Sequence, residues 1–251
     1  MIMAVCGKGG VGKTTVAAVA ARELSRLNDM KTLVVDADPG GGLEMALSIQ
    51  PKKTLNGVRK ELIEEVKEGK RDERDLTVSL DYLLTEALTE VGNLAFLSIG
   101  RPEDEGCYCK VNVLLKSAIE ALAGGFDVTV IDAEAGIEQV NRKVMGQVDY
   151  VLLVSDTSTK GIRVGETIQQ VAHRMVRGEG AGLLINRVRD EGAVDSIKAS
   201  TFLEVIGWIP EDETVRSFDE EGMPFFDLPD CPAALAIRNA LKKVGLLTGK
   251  K

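Results

Sequence analysis

The residues with the most specific chemical signature lie near the N-terminus, in the segment GKGGVGKTT from Gly7 to Thr15. Gly7, Gly12, Lys13 and Thr14 match the pattern GxxxxGK[ST], in which glycines let backbone N–H groups converge on phosphate oxygens. The lysine of this pattern neutralises phosphate charge, and the hydroxyl holds Mg²⁺. A glycine-rich turn can also be purely structural, but the full pattern predicts a site for the phosphates of ATP or ADP with Mg²⁺. The residues expected to line this site are Gly7, Gly9, Gly10, Val11, Gly12, Lys13, Thr14 and Thr15.

A second candidate site consists of Cys107 and Cys109, in the segment GRPEDEGCYCKVN. Side chains two residues apart share one face of an extended strand, so both thiols can point the same way. Two thiolates do not complete a four-coordinate shell, whereas two copies related by a two-fold axis supply four, which suits Zn²⁺ or, if planar, Ni²⁺. The pair predicts a metal site shared between two subunits, and the alternative is two ordinary cysteines or an adventitious disulfide.

The phosphate loop needs a strand before it and a helix after it, and the apolar pattern provides both at Ile2–Val5 and Lys13–Leu27. Further apolar runs predict buried strands at Thr32–Asp36, Leu94–Ile99, Val128–Asp132, Tyr150–Ser155, Leu183–Asn186 and Val205–Ile209. Helical patterns cover Val58–Lys70, Asp81–Val91, Val111–Leu122, Ile162–Arg177 and Ala233–Val244. The alternation predicts a single α/β domain over residues 1–251, with a doubly wound, mostly parallel sheet and helices on both faces.

The bulk composition excludes several classes of protein. With 44% hydrophobic and 28% charged residues, the chain has no window near the ~18 uninterrupted apolar residues that a membrane span requires. The opening MIMAVCGKGG is too short an apolar stretch for a signal peptide, so we expect a cytoplasmic protein without stable membrane association. A formal net charge of −8 argues against a nucleic-acid partner.

Lys8, directly after the first glycine of the loop, makes this segment resemble the deviant Walker A motif of a family of ATPases. That family includes the nitrogenase iron protein, the Min and Par ATPases and metal-site assembly ATPases. The resemblance implies a P-loop NTPase fold of the SIMIBI type and a homodimer with ATP sandwiched between its subunits. It also implies that Lys8 reaches the partner's nucleotide and acts in catalysis together with Lys13.

The acidic segments VVDADPGGG and VTVIDAEAG fall where this family places its switches. Asp36 and Asp38 stand at the C-terminal end of a predicted strand, where ligands bind in open α/β sheets. By resemblance, Asp36 belongs to the Mg²⁺ shell and Asp38 orients the attacking water, while a turn cap before Pro39 is the alternative for Asp38. Asp132 is expected to be the Walker B aspartate, and Gly136 to present its N–H to the γ-phosphate.

Two segments near the C-terminal strands match the places where relatives hold adenine. They are Asn186 in LLINRV and the stretch IPEDETV, in which Pro210, Glu211 and Asp212 are the expected contacts.

The segments GRPE…GCYC and DAEAGIEQ resemble the accessory ATPases that insert nickel into carbon monoxide dehydrogenase. This resemblance extends over nearly the whole chain. It implies a homodimer that binds one Ni²⁺ between its two Cys107–Cys109 pairs and delivers it to the client's iron–sulfur–nickel cluster. Close relatives serve acetyl-CoA synthase, so the client stays open between these two enzymes.

Three other functions remain open at this point. A Min-like ATPase that cycles on membranes could use the C-terminal segment LAIRNALKKVGLLTGKK as an amphipathic helix, although a helix packed on the sheet explains the same pattern. A Par-like partition ATPase would need basic residues arrayed for DNA phosphates. An iron–sulfur cluster between subunits would also use two cysteines from each chain.

Overall fold

The fold is seen in a computed structural model, which describes residues 1–67, 80, 82–101, 109–133, 148–172 and 180–247. The strands are β1 (Ile2–Cys6), β2 (Thr32–Asp36), β3 (Thr89–Val91), β4 (Leu94–Ser98), β5 (Val128–Asp132), β6 (Tyr150–Ser155), β7 (Ala181–Val188) and β8 (Val205–Pro210). The helices are α1 (Lys13–Ser25), α2 (Gly42–Leu47), α3 (Leu55–Lys67), α4 (82–87), α5 (Cys109–Ala123), α6 (Thr159–Ala172), α7 (Glu191–Ser200), α8 (Glu213–Glu220) and α9 (Pro232–Lys243). A short 3₁₀ helix covers Phe225–Asp227.

All eight strands form one sheet, in the order β3-β4-β2-β5-β1-β6-β7-β8. The strands from β4 to β8 in this order pair in parallel, and β2, β5 and β6 have the bounds that the apolar runs predict. This arrangement confirms the predicted α/β class with a mostly parallel sheet.

The edge strand β3 is the clearest departure from the sequence prediction. The helical pattern predicted over Asp81–Val91 ends at residue 87, and Thr89–Val91 pairs antiparallel with β4. Gly92 adopts a left-handed φ of 61° and, with Asn93, forms the tight turn between the two strands. The ladder to β4 therefore outweighs the local helical spacing of these residues.

Helices cover both faces of the sheet because alternate strand residues point to opposite sides. Met3 and Val5 of β1 belong to an apolar cluster with residues of α1, α2 and α9. Ala4 and Cys6 of the same strand belong to a second cluster, which includes residues of α3, α5, α6 and α7. The two clusters form the core of one doubly wound layer structure.

The parallel strands end at one edge of the sheet, and this edge gathers the polar residues that the sequence analysis singled out. Asp36 at the end of β2 lies opposite Ser98 of β4 on one side and opposite Asp132 of β5 on the other. Val5 of β1 lies opposite Asp132, so the loop that follows β1 starts beside this carboxylate.

The C-terminal helix α9 packs on the sheet. Its apolar residues Ala234, Ile237 and Leu241 are at most 1% exposed and belong to the cluster formed with α1. The apolar face of Pro232–Lys243 is therefore covered by the protein itself, and the amphipathic pattern reflects core packing. None of the helices in the described part of the chain is both long and apolar enough to cross a bilayer.

Candidate nucleotide-binding site

The loop between β1 and α1 has the backbone shape that phosphate binding requires. A Cβ atom at Gly7 would lie 2.1 Å from the carbonyl oxygen of Val154, so only glycine fits there. Gly12 has a left-handed φ of 93°, and it begins α1 without any side-chain cap. The first N–H groups of α1 are therefore open to an anionic ligand, which the helix dipole also favours.

The two lysines of the loop differ in burial. Lys13 is only 8% exposed, and its Nζ lies 3.4 Å from the carbonyl oxygen of Lys8, to which it donates a long hydrogen bond. The side chain of Lys8 is partly exposed at the start of the loop. The structure therefore leaves Lys8 more accessible than Lys13, and the roles predicted for the two lysines stay predictions.

Asp132 is a buried carboxylate without a hydrogen-bond partner of normal geometry. It is 1% exposed, and among the described residues neither of its oxygens has such a partner. Burial raises the pKa of Asp132 to about 7, the charges of Asp36 and Asp38 act in the same direction, and the nearby Thr14 hydroxyl and Lys13 oppose the shift. The protein alone therefore compensates the ionised form of this group only in part.

The unbonded carboxylate of Asp132 and the nearby Thr14 hydroxyl fit an Mg²⁺ ion. Mg²⁺ takes oxygen ligands, keeps several waters and is usually held by one or two carboxylates together with phosphate oxygens. The Thr14 hydroxyl and the Asp132 carboxylate would hold it, with Asp36 on the other side of Asp132. A cation at this place would also favour ionised Asp132.

The Asp36 carboxylate, unlike that of Asp132, accepts several hydrogen bonds from the backbone. Its Oδ1 accepts a hydrogen bond from the N–H of Asp38 at 3.1 Å, and its Oδ2 accepts from the N–H groups of Leu43 at 3.0 Å and Glu44 at 3.2 Å. Burial nevertheless raises the pKa of Asp36 to about 6, against these three hydrogen bonds. The carboxylate thus stabilises the N-terminus of α2 while it stands beside Asp132.

Asp38 stabilises a turn, which is the alternative role that the sequence analysis gave it. Its Oδ1 accepts a hydrogen bond from the N–H of Gly40 at 2.8 Å, and its carbonyl accepts from Gly41 at 3.0 Å. The side chain is partly exposed. Orientation of a water by Asp38 stays a prediction, and it would require the carboxylate to leave this turn or to use its second oxygen.

A cavity of about 400 Å³ next to the phosphate loop brings the predicted base contacts together. Asn186, Pro210, Glu211 and Asp212 all line it, together with Thr15 of α1. Its other lining residues, which sequence reasoning missed, include Arg187, Ile209, Val215, Arg216 and Ile237. Their helices and strands are far apart in sequence, so no local pattern indicates that they meet.

Asn186 also supports the phosphate loop. Its Nδ2 donates to the carbonyl of Val11 at 2.8 Å, and its Oδ1 accepts from the N–H of Arg187 at 2.9 Å. Arg187 has a left-handed φ of 55° and donates from Nη1 to the carbonyl of Gly10 at 3.2 Å. Left-handed backbone at a residue other than glycine is costly, and such conformations cluster at functional sites.

Asp212 and Glu211 have structural partners as well. Asp212 accepts hydrogen bonds from the N–H of Thr214 through Oδ1 and of Ala233 through Oδ2, both at 2.9 Å, so it caps α8 and α9. Although burial opposes the shift, these bonds hold the pKa of Asp212 below its usual value. Glu211 pairs with Arg189, which lowers the pKa of Glu211. Adenine contacts from these residues stay predictions.

Several predicted site residues lie outside the described residues. These are Cys107, Gly136 and the side chain of Cys109, although the backbone of Cys109 is described as the first residue of α5. Within the described ranges, no cluster of three or more His, Cys, Asp or Glu side chains could hold a metal ion. The nickel site predicted for Cys107 and Cys109 is therefore untested by the structure.

Comparisons with known proteins agree with this geometry. The model of the family described as "CobQ/CobB/MinD/ParA nucleotide binding domain" matches residues 2–225. The chain is 35% identical over 237 residues to an uncharacterized ATP-binding protein of Methanocaldococcus jannaschii, with 92% of each chain covered.

Two further similarities extend over the full length. The chain is 24% identical, over an alignment of 283 positions that covers 99% of each chain, to the carbon monoxide dehydrogenase accessory protein CooC of Rhodospirillum rubrum. Among solved structures, the MinC:MinD cell division protein complex of Aquifex aeolicus contains a chain similar in fold. The TM-score is 0.68 at 21% identity, covering 100% of this chain and 97% of that one.

Proposed function

The chain belongs to the CobQ/CobB/MinD/ParA family of P-loop ATPases, and from that premise we propose that it is a nickel-delivery ATPase. In this proposal, a homodimer couples ATP hydrolysis to the transfer of Ni²⁺ into the metal cluster of carbon monoxide dehydrogenase or acetyl-CoA synthase. The dimer holds one Ni²⁺ between the two Cys107–Cys109 pairs. Residues Lys8, Lys13 and Asp38 carry the hydrolysis.

The observation that carries the proposal is the position of α5 relative to the phosphate site. Strand β4 ends at Ser98, opposite Asp36, and α5 begins at Cys109 before the chain returns in β5. In a parallel sheet, a helix that connects two strands starts on the side of their carboxyl ends. Helix α5, whose first residue is Cys109, therefore starts at the same edge of the sheet as the phosphate loop, and this supports coupling between the nucleotide site and a metal site at the cysteines.

The full-length similarity to a carbon monoxide dehydrogenase accessory protein supports the same function. The number of thiolate ligands supports the proposal as well. Two thiols per chain are half of a four-thiolate shell, and a two-fold axis through ATP-bridged subunits supplies the other half. The predicted dimer and the predicted metal site therefore require the same symmetry.

In the proposed function, each residue of the phosphate site has a role in hydrolysis. The loop N–H groups and Lys13 hold the β- and γ-phosphates, and Lys8 of each subunit adds positive charge at the partner's nucleotide. Water attacks the γ-phosphorus, the bond to the bridging oxygen breaks, and ADP and phosphate leave. When bound, Mg²⁺ neutralises charge on the phosphates. Asp38 orients the water, and Asp132 and Thr14 would hold the cation.

The test is a measurement of metal and mass together under anaerobic conditions. Protein is incubated with Ni²⁺ and a non-hydrolysable ATP analogue, and then analysed by size exclusion with light scattering and by elemental analysis. We expect about one Ni²⁺ per dimer for the natural sequence and none for Cys107→Ser/Cys109→Ser. Cys231→Ser is the matched control, because Cys231 is a buried residue that precedes α9 and should leave metal binding unchanged.

Other results would assign the chain differently within its family. Nucleotide-dependent dimers that retain no metal would remove the nickel function and leave the ATPase. Pelleting with liposomes only in the presence of ATP would favour a Min-like role, and a salt-dependent shift of DNA would favour a Par-like one. Iron and sulfide with a visible absorption band would indicate a bridging cluster instead of a single ion.

A further inference from the structure

Two successive residues near the end of β7 hold two successive peptide groups of the phosphate loop. Nδ2 of Asn186 donates to the carbonyl of Val11 at 2.8 Å, and Nη1 of Arg187 donates to the carbonyl of Gly10 at 3.2 Å. The Gly10 carbonyl shares its peptide group with the N–H of Val11, and the Val11 carbonyl shares its peptide group with the N–H of Gly12. The C=O and N–H of a planar trans peptide point in opposite directions. Each bond from β7 therefore turns one N–H of the loop away from β7.

The two N–H groups that are turned in this way are available to a ligand. Within the part of the chain that the structure describes, neither the N–H of Val11 nor that of Gly12 donates a hydrogen bond. Both residues directly precede Lys13, the first residue of α1. Unpaired N–H groups that converge before a helix are the donors that phosphate oxygens accept. The direction of these two N–H groups therefore matters for phosphate binding.

A regular strand would not bring both side chains to one loop, because successive residues of a strand point to opposite faces. The pairing of β7 with β8 is irregular at this place: residues 185–188 of β7 lie opposite residues 208–210 of β8, so β7 contains one extra residue. Arg187 lies within this bulge and has the left-handed φ of 55°. Bulges re-aim side chains, and this one brings the guanidinium of Arg187 to the same loop as the amide of Asn186.

The stability of the fold alone would favour glycine at position 187. Glycine adopts left-handed backbone freely, whereas a residue with a Cβ atom is strained there. Glycine would also keep the hydrogen bond from the N–H of residue 187 to Oδ1 of Asn186. The side chain of Arg187 is exposed, and an exposed hydrogen bond adds little to stability. What glycine would lose is the donor to the Gly10 carbonyl.

We propose that Arg187 is a positioning residue for phosphate binding, because its guanidinium holds the Gly10 carbonyl and thereby directs the N–H of Val11 towards the phosphates of the nucleotide. Asn186 acts in the same way on the N–H of Gly12. This role does not involve the base, although both residues also line the cavity that is predicted to hold adenine. The inference concerns ATP binding, so it does not depend on the nickel function.

The first experiment compares Mg²⁺-ATP with Mg²⁺ and inorganic triphosphate, a ligand that has the phosphates but neither base nor ribose. Arg187→Gly removes the guanidinium and suits the left-handed backbone. It should lower the affinity for both ligands by the same factor, roughly 3- to 10-fold, as expected for one hydrogen bond. KM for ATP should rise by a similar factor with little change in kcat, because the loop holds substrate and transition state alike. Competition with a fluorescent ATP analogue measures both affinities.

Two further variants separate the hydrogen bond from other effects. Arg187→Lys should retain most of the affinity for both ligands, because the lysine ammonium is also a donor to the Gly10 carbonyl. Arg189→Ala is the matched control, since it removes one positive charge two residues further along the chain, where the arginine pairs with Glu211 and its side chain is 80% exposed. This variant should leave the affinity for triphosphate unchanged. Arg187→Gly should resist urea at least as well as the natural sequence, so unfolding would not explain its loss of affinity.

A second measurement observes the loop without any ligand. Nitrogen-15 relaxation of the nucleotide-free protein gives the order parameter of the Val11 amide. In Arg187→Gly we expect it to fall from the range of rigid backbone, about 0.85, towards that of flexible backbone, below about 0.6. Arg187→Lys should keep the higher value.

Three results would overturn the proposal. A loss of affinity for ATP alone would show that Arg187 acts on the base or the ribose. Unchanged affinity for both ligands would leave its bond to the Gly10 carbonyl without a role in binding. A loss for both ligands with an unchanged order parameter at Val11 would show that the guanidinium acts on the phosphates through its charge.

Discussion

Asp36 and Asp132 lie opposite each other at the ends of neighbouring strands, yet the protein treats the two carboxylates differently. Asp36 accepts hydrogen bonds from three backbone N–H groups, whereas within the described residues neither oxygen of Asp132 has a partner of normal geometry. Both are buried and both have raised pKa values, about 6 and about 7. One carboxylate is thus committed to the protein's own backbone, while, in the part of the chain that the structure describes, the oxygens of the other are left without such bonds.

Substitution of each aspartate by asparagine should separate these roles in catalysis. Asp132→Asn should lower kcat for ATP hydrolysis by roughly 100-fold or more, as expected for loss of a preorganised charge at the reacting phosphates. Asp36→Asn should lower it by roughly 10- to 100-fold, the usual range for groups that orient a metal site indirectly. Steady-state phosphate release measures both. Equal losses would mean that the two aspartates share one role.

Asp195→Asn is the control for these variants, because Asp195 lies on α7 with its side chain 82% exposed. It should leave kcat unchanged.

The same two substitutions should increase the stability of the nucleotide-free protein, although they lower kcat. At pH 7.5 without Mg²⁺, Asp132→Asn should raise the free energy of unfolding by about 1–3 kcal/mol, because it removes a buried charge that the protein compensates only in part. Asp36→Asn should raise it less, since an amide has only one acceptor oxygen for the three N–H groups that the two carboxylate oxygens accept. Urea unfolding measures both values. A destabilised Asp132→Asn would show that its carboxylate has a partner in solution.

The pH dependence of stability follows from the same two groups. A carboxyl whose pKa is raised on folding binds more protons in the native than in the unfolded state between its ordinary pKa and the raised one. The nucleotide-free protein should therefore lose stability as pH rises from about 4 to about 7, and should change little above that from these groups.

Carboxyls with lowered pKa values, such as Asp230, Glu211 and Asp212, change the free energy of unfolding only at pH values below this window. Urea unfolding of Asp132→Asn over the same pH range should give a flatter profile. A profile that rises between pH 5 and 7 in the natural sequence would contradict the assignment.

The smallest expected effect concerns Thr14. Its hydroxyl lowers the pKa of Asp132 and is not among the causes of the Asp36 shift. Thr14→Ala should therefore raise the pKa of Asp132 further and leave that of Asp36 unchanged. Thr14→Ser keeps the hydroxyl and should leave both pKa values as they are. Carbon-13 NMR titration of the two carboxyl groups resolves this difference, and a parallel shift of both pKa values would count against it.

The sequence predicts those parts of the site that depend on local order. The phosphate loop, the strands that end at Asp36 and Asp132, and the helix after Lys13 all follow from spacing and apolar runs, and the structure has them in place. These features are set by residues within a few positions of each other, which is why pattern reasoning finds them.

Features that depend on contacts through space escaped prediction. Thr89–Val91 is a strand only because β4 pairs with it, and α2 is short and begins with glycine, so neither has a pattern of its own. The left-handed conformation of Arg187 lies where the pairing of β7 with β8 shifts register, between Ile185 and Val188. The cap that Asp212 places on α9 depends on the N–H of Ala233, 21 positions away, so no local pattern indicates it.

The bond between Asn186 and Val11 has a consequence for the order of events during synthesis. The loop that receives ATP is made among the first residues, but the side chain that supports it is added 175 residues later. At a translation rate of ~5–20 residues per second, the ribosome needs roughly 9–35 s to cover that interval. Strand β1 also lies between β5 and β6, both of which are synthesised after it. A nascent chain is therefore unable to hold nucleotide tightly until most of the protein has emerged, and ATP acts on the finished fold instead of guiding its early steps.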